Sequence, residues 1–285
     1  GTALTLLGGL AGDALTDCDF NTAVGFASLS EDTLGSKTTA IGYQALANQN
    51  FTTATDTFNT AVGFQAGAAV TTGGSNVLIG GLAGDALTDA DSNVAIGKTA
   101  LTSDTLGSRS VAVGQSALFT QNFTTATNGY NVAVGYNAGG LVTTGVQNTL
   151  LGGLAGDALT DADFNVAVGV TALGGDTLGS KSTAIGYSTL VNQNFTTATD
   201  SFNTAVGFEA GASVTTGIKN TLIGGIAGDR LSDADENVAI GYEALTTDLL
   251  GSKTVAVGTD ALANQNFTTA TDTYNTAVGY HAGLL

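Results

Sequence analysis

Four clusters of oxygen-bearing side chains recur along the chain, and their spacing suits a calcium ion. The first cluster is Asp13, Asp17, Asp19 and Asn21, directly after the glycine-rich stretch LLGGLAG. Calcium takes six to eight oxygen ligands, so carboxylates and an amide at alternate positions of a turn are suitable donors. The predicted metal ligands are Asp13, Asp17, Asp19, Asn21, Asp85, Asp89, Asp91, Asn93, Asp157, Asp161, Asp163, Asn165, Asp229, Asp233, Asp235 and Asn237.

The same clusters have two other interpretations. Asp and Asn are typical of solvated turns, where their side chains bond to the nearby backbone. The glycine-rich start is also similar to a phosphate-binding loop, but the adjacent carboxylates would repel a phosphate group. Calcium and a solvated acidic turn therefore both remain open, and the sequence predicts no other cofactor.

A threonine-rich segment, NQNFTTATD, contains a formal N-glycosylation sequon at Asn50-Phe51-Thr52. The alternative is an unmodified surface loop, which is where a repeat protein places receptor contacts. The four candidate glycosylation sites are Asn50, Asn122, Asn194 and Asn266.

Enzymatic chemistry has few candidate residues. The chain contains one histidine, His281, and one cysteine, Cys18, which cannot supply a Ser-His-Asp triad, a Cys-His pair or a zinc site. Cys18 occupies a position that is alanine in the other repeats. We predict no catalytic residue and no enzymatic activity, and a hydrolase that uses only carboxylates is the remaining enzymatic alternative.

The charge is strongly acidic, with a formal net charge of −17. Such a surface repels nucleic acid and anionic membranes, so we expect neither as a direct partner. No apolar run approaches the length of about 18 residues that is typical of a membrane-spanning helix, so we expect no membrane insertion.

A short cassette of the type N-T-A-V-G recurs sixteen times, with spacings of 17, 17, 21 and 17 residues that add to a 72-residue super-repeat. The β-branched residues and the closing glycine favour strands separated by turns. The sequence therefore predicts an all-β parallel solenoid, one coil per cassette, as a single domain over residues 1–285. The closing glycines are Gly8, Gly25, Gly42, Gly63, Gly80, Gly97, Gly114, Gly135, Gly152, Gly169, Gly186, Gly207, Gly224, Gly241, Gly258 and Gly279.

Neither face of the predicted strands carries a charge. Val, Ile or Leu precedes every closing glycine and Thr or Val lies two residues earlier, so we assign these two positions to the core of the coil. The opposite face carries Ala or Leu, and we assign it to contacts between chains. Glutamate at Ala61, Ala133, Ala205 and Ala277 would then dissociate the assembly.

Four of the seven basic residues occupy one repeat position, and each follows an aspartate by five residues. The pattern indicates ion pairs at the surface or between chains. The basic residues are Lys37, Arg109, Lys181 and Lys253, and the aspartates are Asp32, Asp104, Asp176 and Asp248.

The cassettes NTAVGF, NVAIGK, SVAVGQ and NTAVGY resemble the N-S-V-A-I-G head repeats of trimeric autotransporter adhesins of the YadA-like type. They are also similar to the NTAVGYxAL repeats of bacteriophage tail fibres and bacterial surface fibres. The resemblance covers essentially the whole chain. It implies a left-handed β-roll that packs as a homotrimer and lies outside the cell, on the cell surface or on a virion tail.

We therefore predict a non-enzymatic extracellular fibre or adhesin-type rod, with other copies of the chain and a host-surface or glycan receptor as partners. The repeat phase at residue 285 nearly returns to that of residue 1, so we expect copies to stack end to end as a filament. The alternatives are a receptor-binding segment of a phage tail fibre, a polysaccharide hydrolase on a β-helical fibre, and an ice-binding solenoid. The last needs an unbroken threonine array, which valine interrupts at Val77, Val94, Val111, Val132, Val166, Val238 and Val255.

Overall fold

A computed structural model describes residues 1–284 of the protein as two compact units, residues 1–144 and 145–284. The described residues contain strands and turns and no helix. Each unit is a parallel β-solenoid of eight coils, as the repeating cassettes predicted. The prediction of one domain over 1–285 stays a prediction.

The first unit contains twelve short strands. Eight have three residues and belong to the main sheet, in the order β1-β2-β4-β6-β7-β8-β10-β12, and the other four pair as β3 with β5 and β9 with β11. The strands are β1 (Thr5–Leu7), β2 (Thr22–Val24), β3 (Gly35–Ser36), β4 (Thr39–Ile41), β5 (Thr55–Asp56), β6 (Thr60–Val62), β7 (Val77–Ile79), β8 (Val94–Ile96), β9 (Gly107–Ser108), β10 (Val111–Val113), β11 (Thr127–Asn128) and β12 (Val132–Val134).

The second unit repeats this arrangement. Its main sheet has the order β13-β14-β16-β18-β19-β20-β22-β24, with β15 paired with β17 and β21 paired with β23. The strands are β13 (Thr149–Leu151), β14 (Val166–Val168), β15 (Gly179–Ser180), β16 (Thr183–Ile185), β17 (Thr199–Asp200), β18 (Thr204–Val206), β19 (Thr221–Ile223), β20 (Val238–Ile240), β21 (Gly251–Ser252), β22 (Val255–Val257), β23 (Thr271–Asp272) and β24 (Thr276–Val278).

The register of the main sheet repeats the sequence spacing. Val77 pairs with Val94, which lies 17 residues later, and Thr39 pairs with Thr60, which lies 21 residues later. The four additional residues of the longer coil accompany the extra two-residue strand, such as β5 beside β3. A residue therefore has its neighbours on the adjacent coils 17 or 21 positions away in the chain.

The prediction of which strand face forms the core was wrong. From β2 to β22, the middle residue of each three-residue strand, such as Ala61 or Leu78, is fully buried inside the single coil, whereas Ile41 and Ile79 on the opposite face are each 37% exposed. A short coil encloses a narrow interior, and alternate residues of a strand point to opposite faces, so the small alanines fit inside. The Ala/Leu face is thus the core of the solenoid and not a contact surface between chains.

Leucine replaces alanine on this inner face where neighbouring glycines leave room. A Cβ added at Gly67 would lie 2.6 Å from Leu78 Cδ1, and one added at Gly84 would lie 2.8 Å from Leu78 Cδ2. Both glycines have a positive φ, +60° at Gly67 and +55° at Gly84. The leucine methyl groups therefore fill the space that the absent Cβ atoms leave open.

Candidate functional site

The asparagines of the predicted calcium clusters lie inside the solenoid. Asn93 is fully buried, its Nδ2 donates to the carbonyl oxygen of Gly107 at 2.8 Å, and its Oδ1 accepts from the Ser110 nitrogen at 2.9 Å. Asn21, Asn165 and Asn237 make the equivalent bonds. These side chains join adjacent coils, so their oxygens already have a hydrogen-bond partner.

The aspartates of the same clusters bond to the preceding or following coil. Asp91 Oδ1 accepts from the Gly74 nitrogen at 2.8 Å and Asp89 Oδ1 accepts from Thr72 Oγ1 at 2.7 Å. Asp85 accepts a hydrogen bond from Thr102 Oγ1. Equivalent bonds are made by Asp19, Asp163, Asp229, Asp233 and Asp235, while Asp13 is exposed and Asp17 lies 3.8 Å from the amino terminus.

Calcium binding by these residues stays a prediction. Over residues 1–284, no group of three or more His, Cys, Asp or Glu side chains has an arrangement that could hold a metal ion. Asp157 and Asp161, from the third cluster, are half-buried and exposed respectively. The contacts described for these clusters are hydrogen bonds within and between coils.

A buried polar network joins each 21-residue coil to the 17-residue coil before it, and sequence analysis did not find it. Asp104 is excluded from solvent, and its carboxylate accepts from Gln121 Nε2 at 2.6 Å and from the Gly107 and Phe123 nitrogens at 3.0 Å. Gln121 Oε1 in turn accepts from Asn131 Nδ2 at 2.9 Å. The carboxylate has no donor role, so it orients the Gln121 amide and thereby sets the direction of the chain of hydrogen bonds.

The network recurs with Asp32 and Gln49, Asp176 and Gln193, and Asp248 and Gln265. Each glutamine follows its aspartate by 17 residues, which is the offset of neighbouring coils. This 17-residue spacing could have predicted the network from the sequence, because it places the two side chains next to each other on adjacent coils.

The aspartates of this network are not the partners of the repeated basic residues, so the Asp32–Lys37 type of pairing was wrong. Lys37 Nζ instead lies 2.6 Å from Asp56 Oδ2 and 5.2 Å from the centre of the Phe58 ring. A lysine can reach the extra strand of the next coil, whereas Asp32 points into the core. Lys181 pairs in the same way with Asp200, and Lys253 with Asp272.

We expect the folded state to become more stable on mild acidification, because Asp104 takes up a proton. Burial raises the pKa of Asp104 above its usual range, against the lowering effect of its hydrogen bonds. A carboxyl group whose pKa is raised on folding holds its proton more tightly in the folded state. Its contribution favours folding at low pH and is lost as the pH rises through the raised pKa. Burial also raises the pKa of Asp85, Asp157 and Asp229.

The measurement is the thermal midpoint by circular dichroism between pH about 7 and about 4, a range that lies above the usual aspartate pKa. The thermal midpoint of the wild type should rise as the pH falls. The midpoint of Asp104→Asn should rise by a smaller amount over the same pH range. Asp89→Asn removes the same charge from an exposed position and controls for the general repulsion among carboxylates. Identical profiles for the two variants would contradict the assignment to Asp104.

The candidate glycosylation sites lie at the edge of the coil. Phe51 is buried, whereas Thr52 and Thr53 are exposed, and Asn50 Oδ1 accepts from Thr33 Oγ1 at 3.2 Å. Asn122 and Asn194 make the same bond to Thr105 and Thr177, and Asn266 is exposed. Modification of these four asparagines stays a prediction.

The surroundings of the single cysteine and the single histidine do not favour a reactive role. Cys18 is buried, and desolvation raises the pKa of its thiol, which disfavours the reactive thiolate. His281 is exposed, with Nε2 2.8 Å from Asp260 Oδ2 and its ring stacked on Tyr280. Among residues 1–284, neither Cys18 nor His281 lies beside the full set of partner side chains that a catalytic triad or dyad needs.

The outward face of the main sheet is a regular uncharged surface of each unit. Parallel strands align its side chains in columns, with Thr or Val at the first position of each strand and Val, Ile or Leu at the third. A row of exposed aromatic side chains borders the face. Phe26, Tyr43 and Phe64 stack with ring centres 5.8 and 5.3 Å apart in the first unit, and Tyr187 and Phe208 stack at 5.4 Å in the second.

Comparisons with known proteins add no assignment. Neither a protein-family model nor a curated protein sequence gives a match to this chain. The part of the chain that the structure describes has no helix with the length and apolar character needed to cross a membrane.

Proposed function

We propose that the protein is a non-enzymatic structural rod of an extracellular fibre or adhesin. In this proposal the chain is a left-handed β-roll with a 72-residue super-repeat, and it assembles as a homotrimer whose copies continue end to end. The location is the cell surface, the surrounding medium or a virion tail, and the further partner is a receptor on a host surface.

The observation that supports assembly is the outward face of the main sheets. Its columns carry no charged side chain, and Ile79 and Ile223 are 37% and 38% exposed in the single chain. Contiguous apolar surface of this kind marks contact sites, because single soluble chains rarely leave a large apolar patch in water. The chain as a whole carries a net charge of −17, so an uncharged face is where copies of one chain can approach without repulsion.

Closed cyclic symmetry explains how one face serves every copy. In a closed ring of identical chains, every copy makes the same pair of contacts with its two neighbours, and no copy is left with an open contact. The resemblance of the cassettes to trimeric adhesin heads supports three copies. The aromatic row that contains Tyr43 and Phe64 would lie at the border of the contact, where aromatic residues are enriched.

Light scattering coupled to size-exclusion chromatography tests this proposal. The expected mass is three times the 28.1 kDa of the chain, or a multiple of that mass if trimers stack end to end. A monomer at micromolar concentration would contradict the assembly. The ice-binding alternative, which the valines of the outward columns argue against, is measured by a thermal-hysteresis assay of the same sample.

A further inference from the structure

A polar cavity of about 330 Å³ lies on the first unit and spans several adjacent coils. Its lining includes Asp56, Ser75, Asp91, Ser92 and Arg109. The volume is at the lower end of the range that is typical of small-molecule sites. Phe51, which also lines the cavity, donates its backbone nitrogen to Asp32 of the buried network at 3.0 Å.

The cavity exists because two consecutive coils carry small side chains at one outward position. Ser75 and Ser92 occupy this position, and both are exposed. The corresponding residues 144 positions later are Lys219 and Glu236, whose side chains meet at 3.2 Å. The backbone is the same at both places, with φ of 60° at Ser75 and 58° at Lys219. The side chains alone therefore distinguish the open site from the filled one.

Arg109, at one end of the cavity, differs from the three lysines at its repeat position. Each lysine pairs with an aspartate on the next coil, whereas the residue opposite Arg109 is Asn128. Arg109 Nη1 donates to the Tyr130 hydroxyl at 3.2 Å, and over residues 1–284 no carboxylate forms an ion pair with Arg109. Its remaining guanidinium donors are therefore available to a ligand.

The other polar groups of the lining are mixed in type. Asp56 is neutralised by Lys37 at 2.6 Å, and one oxygen of Asp91 accepts the Gly74 nitrogen. The Ser75 and Ser92 hydroxyls have no protein hydrogen-bond partner among the described residues. The cavity thus offers a cationic donor, carboxylate acceptors and hydroxyl groups that both donate and accept.

We propose that this cavity binds a neutral saccharide unit. The hydroxyl groups of a sugar ring both donate and accept, so they can satisfy Arg109, Asp91 and the two serines together. A ligand with a fixed charge would be attracted by Arg109 or by Asp91 and repelled by the other. The inference goes beyond the proposed structural role and does not rest on it, because all the lining residues belong to one unit of one chain.

Saturation-transfer NMR with the full-length protein tests the assignment, using the methyl glycosides of glucose, galactose, mannose and N-acetylglucosamine as probes and glucuronate as the acidic comparison. We expect at least one neutral glycoside to bind with a dissociation constant on the order of 1–10 mM, as suits a ligand of this size. Absence of binding by all four at tens of millimolar would overturn the proposal. Tighter binding of glucuronate would also overturn it, because that result would indicate an anion site on Arg109.

The double variant Ser75→Lys, Ser92→Glu places in the cavity the ion pair that the chain carries at Lys219 and Glu236. We expect binding to weaken at least tenfold. The fold should be kept, since the same residues occur with the same backbone φ in the second unit. Lys253→Ala, which alters a paired basic residue at the same repeat position as Arg109, is the matched control and should bind normally. Equal binding by the double variant and the wild type would overturn the proposal.

Light scattering of the same samples measures assembly separately. A failure of the proposed trimer and a failure of the sugar site can therefore be distinguished.

Discussion

Replacing Gly80 with alanine will destabilise the solenoid strongly, whereas the same change at the adjacent Gly81 will have almost no effect. Gly80 has a φ of +133°, and an added Cβ would lie 2.6 Å from the carbonyl carbon and oxygen of Gly97 on the next coil. The strained backbone costs about 1–3 kcal/mol. The clash with a fixed backbone adds about 1–3 kcal/mol more, as for other overpacked sites. A Cβ at Gly81 would meet nothing within 4 Å.

Urea unfolding followed by circular dichroism measures this difference, with a lower midpoint expected for Gly80→Ala only. The pair Gly152 and Gly153 provides a second test in the other unit. Gly152 has a φ of +141° with Gly169 O at 2.4 Å from an added Cβ, and Gly153 has open space. Equal midpoints for the two members of either pair would show that the coils can separate to admit the methyl group.

A variant with glutamate at four outward isoleucines is expected to convert the proposed trimer to a monomer without unfolding the chain. The four isoleucines point away from the core and are between 37% and 38% exposed, so the single solenoid tolerates a charge there. In a trimer the same positions would be buried, and an uncompensated buried charge costs on the order of 3–5 kcal/mol. The substitutions are Ile41→Glu, Ile79→Glu, Ile185→Glu and Ile223→Glu.

The matched control adds the same four charges to the exposed threonine-rich segments, at Thr52, Thr124, Thr196 and Thr268. Light scattering should give one chain mass for the isoleucine variant and the wild-type mass for the control, with unchanged circular dichroism for both. If the isoleucine variant kept the wild-type mass, the outward face would not be the contact between chains. Glutamate at Ala61, by contrast, would lie in the core and should unfold its coil.

The sequence by itself determined the fold class and the coil. A closing glycine every 17 or 21 residues and a Val, Ile or Leu before it predicted short parallel strands, and the structure places strands at those cassettes. This prediction works because a solenoid coil is a local unit, so the repeat length along the chain is also the distance between neighbours in the sheet. The 17-residue register of β7 and β8 repeats that spacing directly.

Only the tertiary structure decided which strand face lies inside. Ala61 and Val62 are both uncharged, so hydrophobic pattern could not distinguish their faces, and the side-chain size that fits a narrow coil made the choice. Contacts between coils decided the rest. Asp32 bonds to Gln49 inside the coil and Lys37 reaches Asp56 outside it, although Asp32 and Lys37 are closer to each other in sequence. The cavity beside Arg109 depends on two small side chains that become neighbours only when Ser75 and Ser92 stack on adjacent coils.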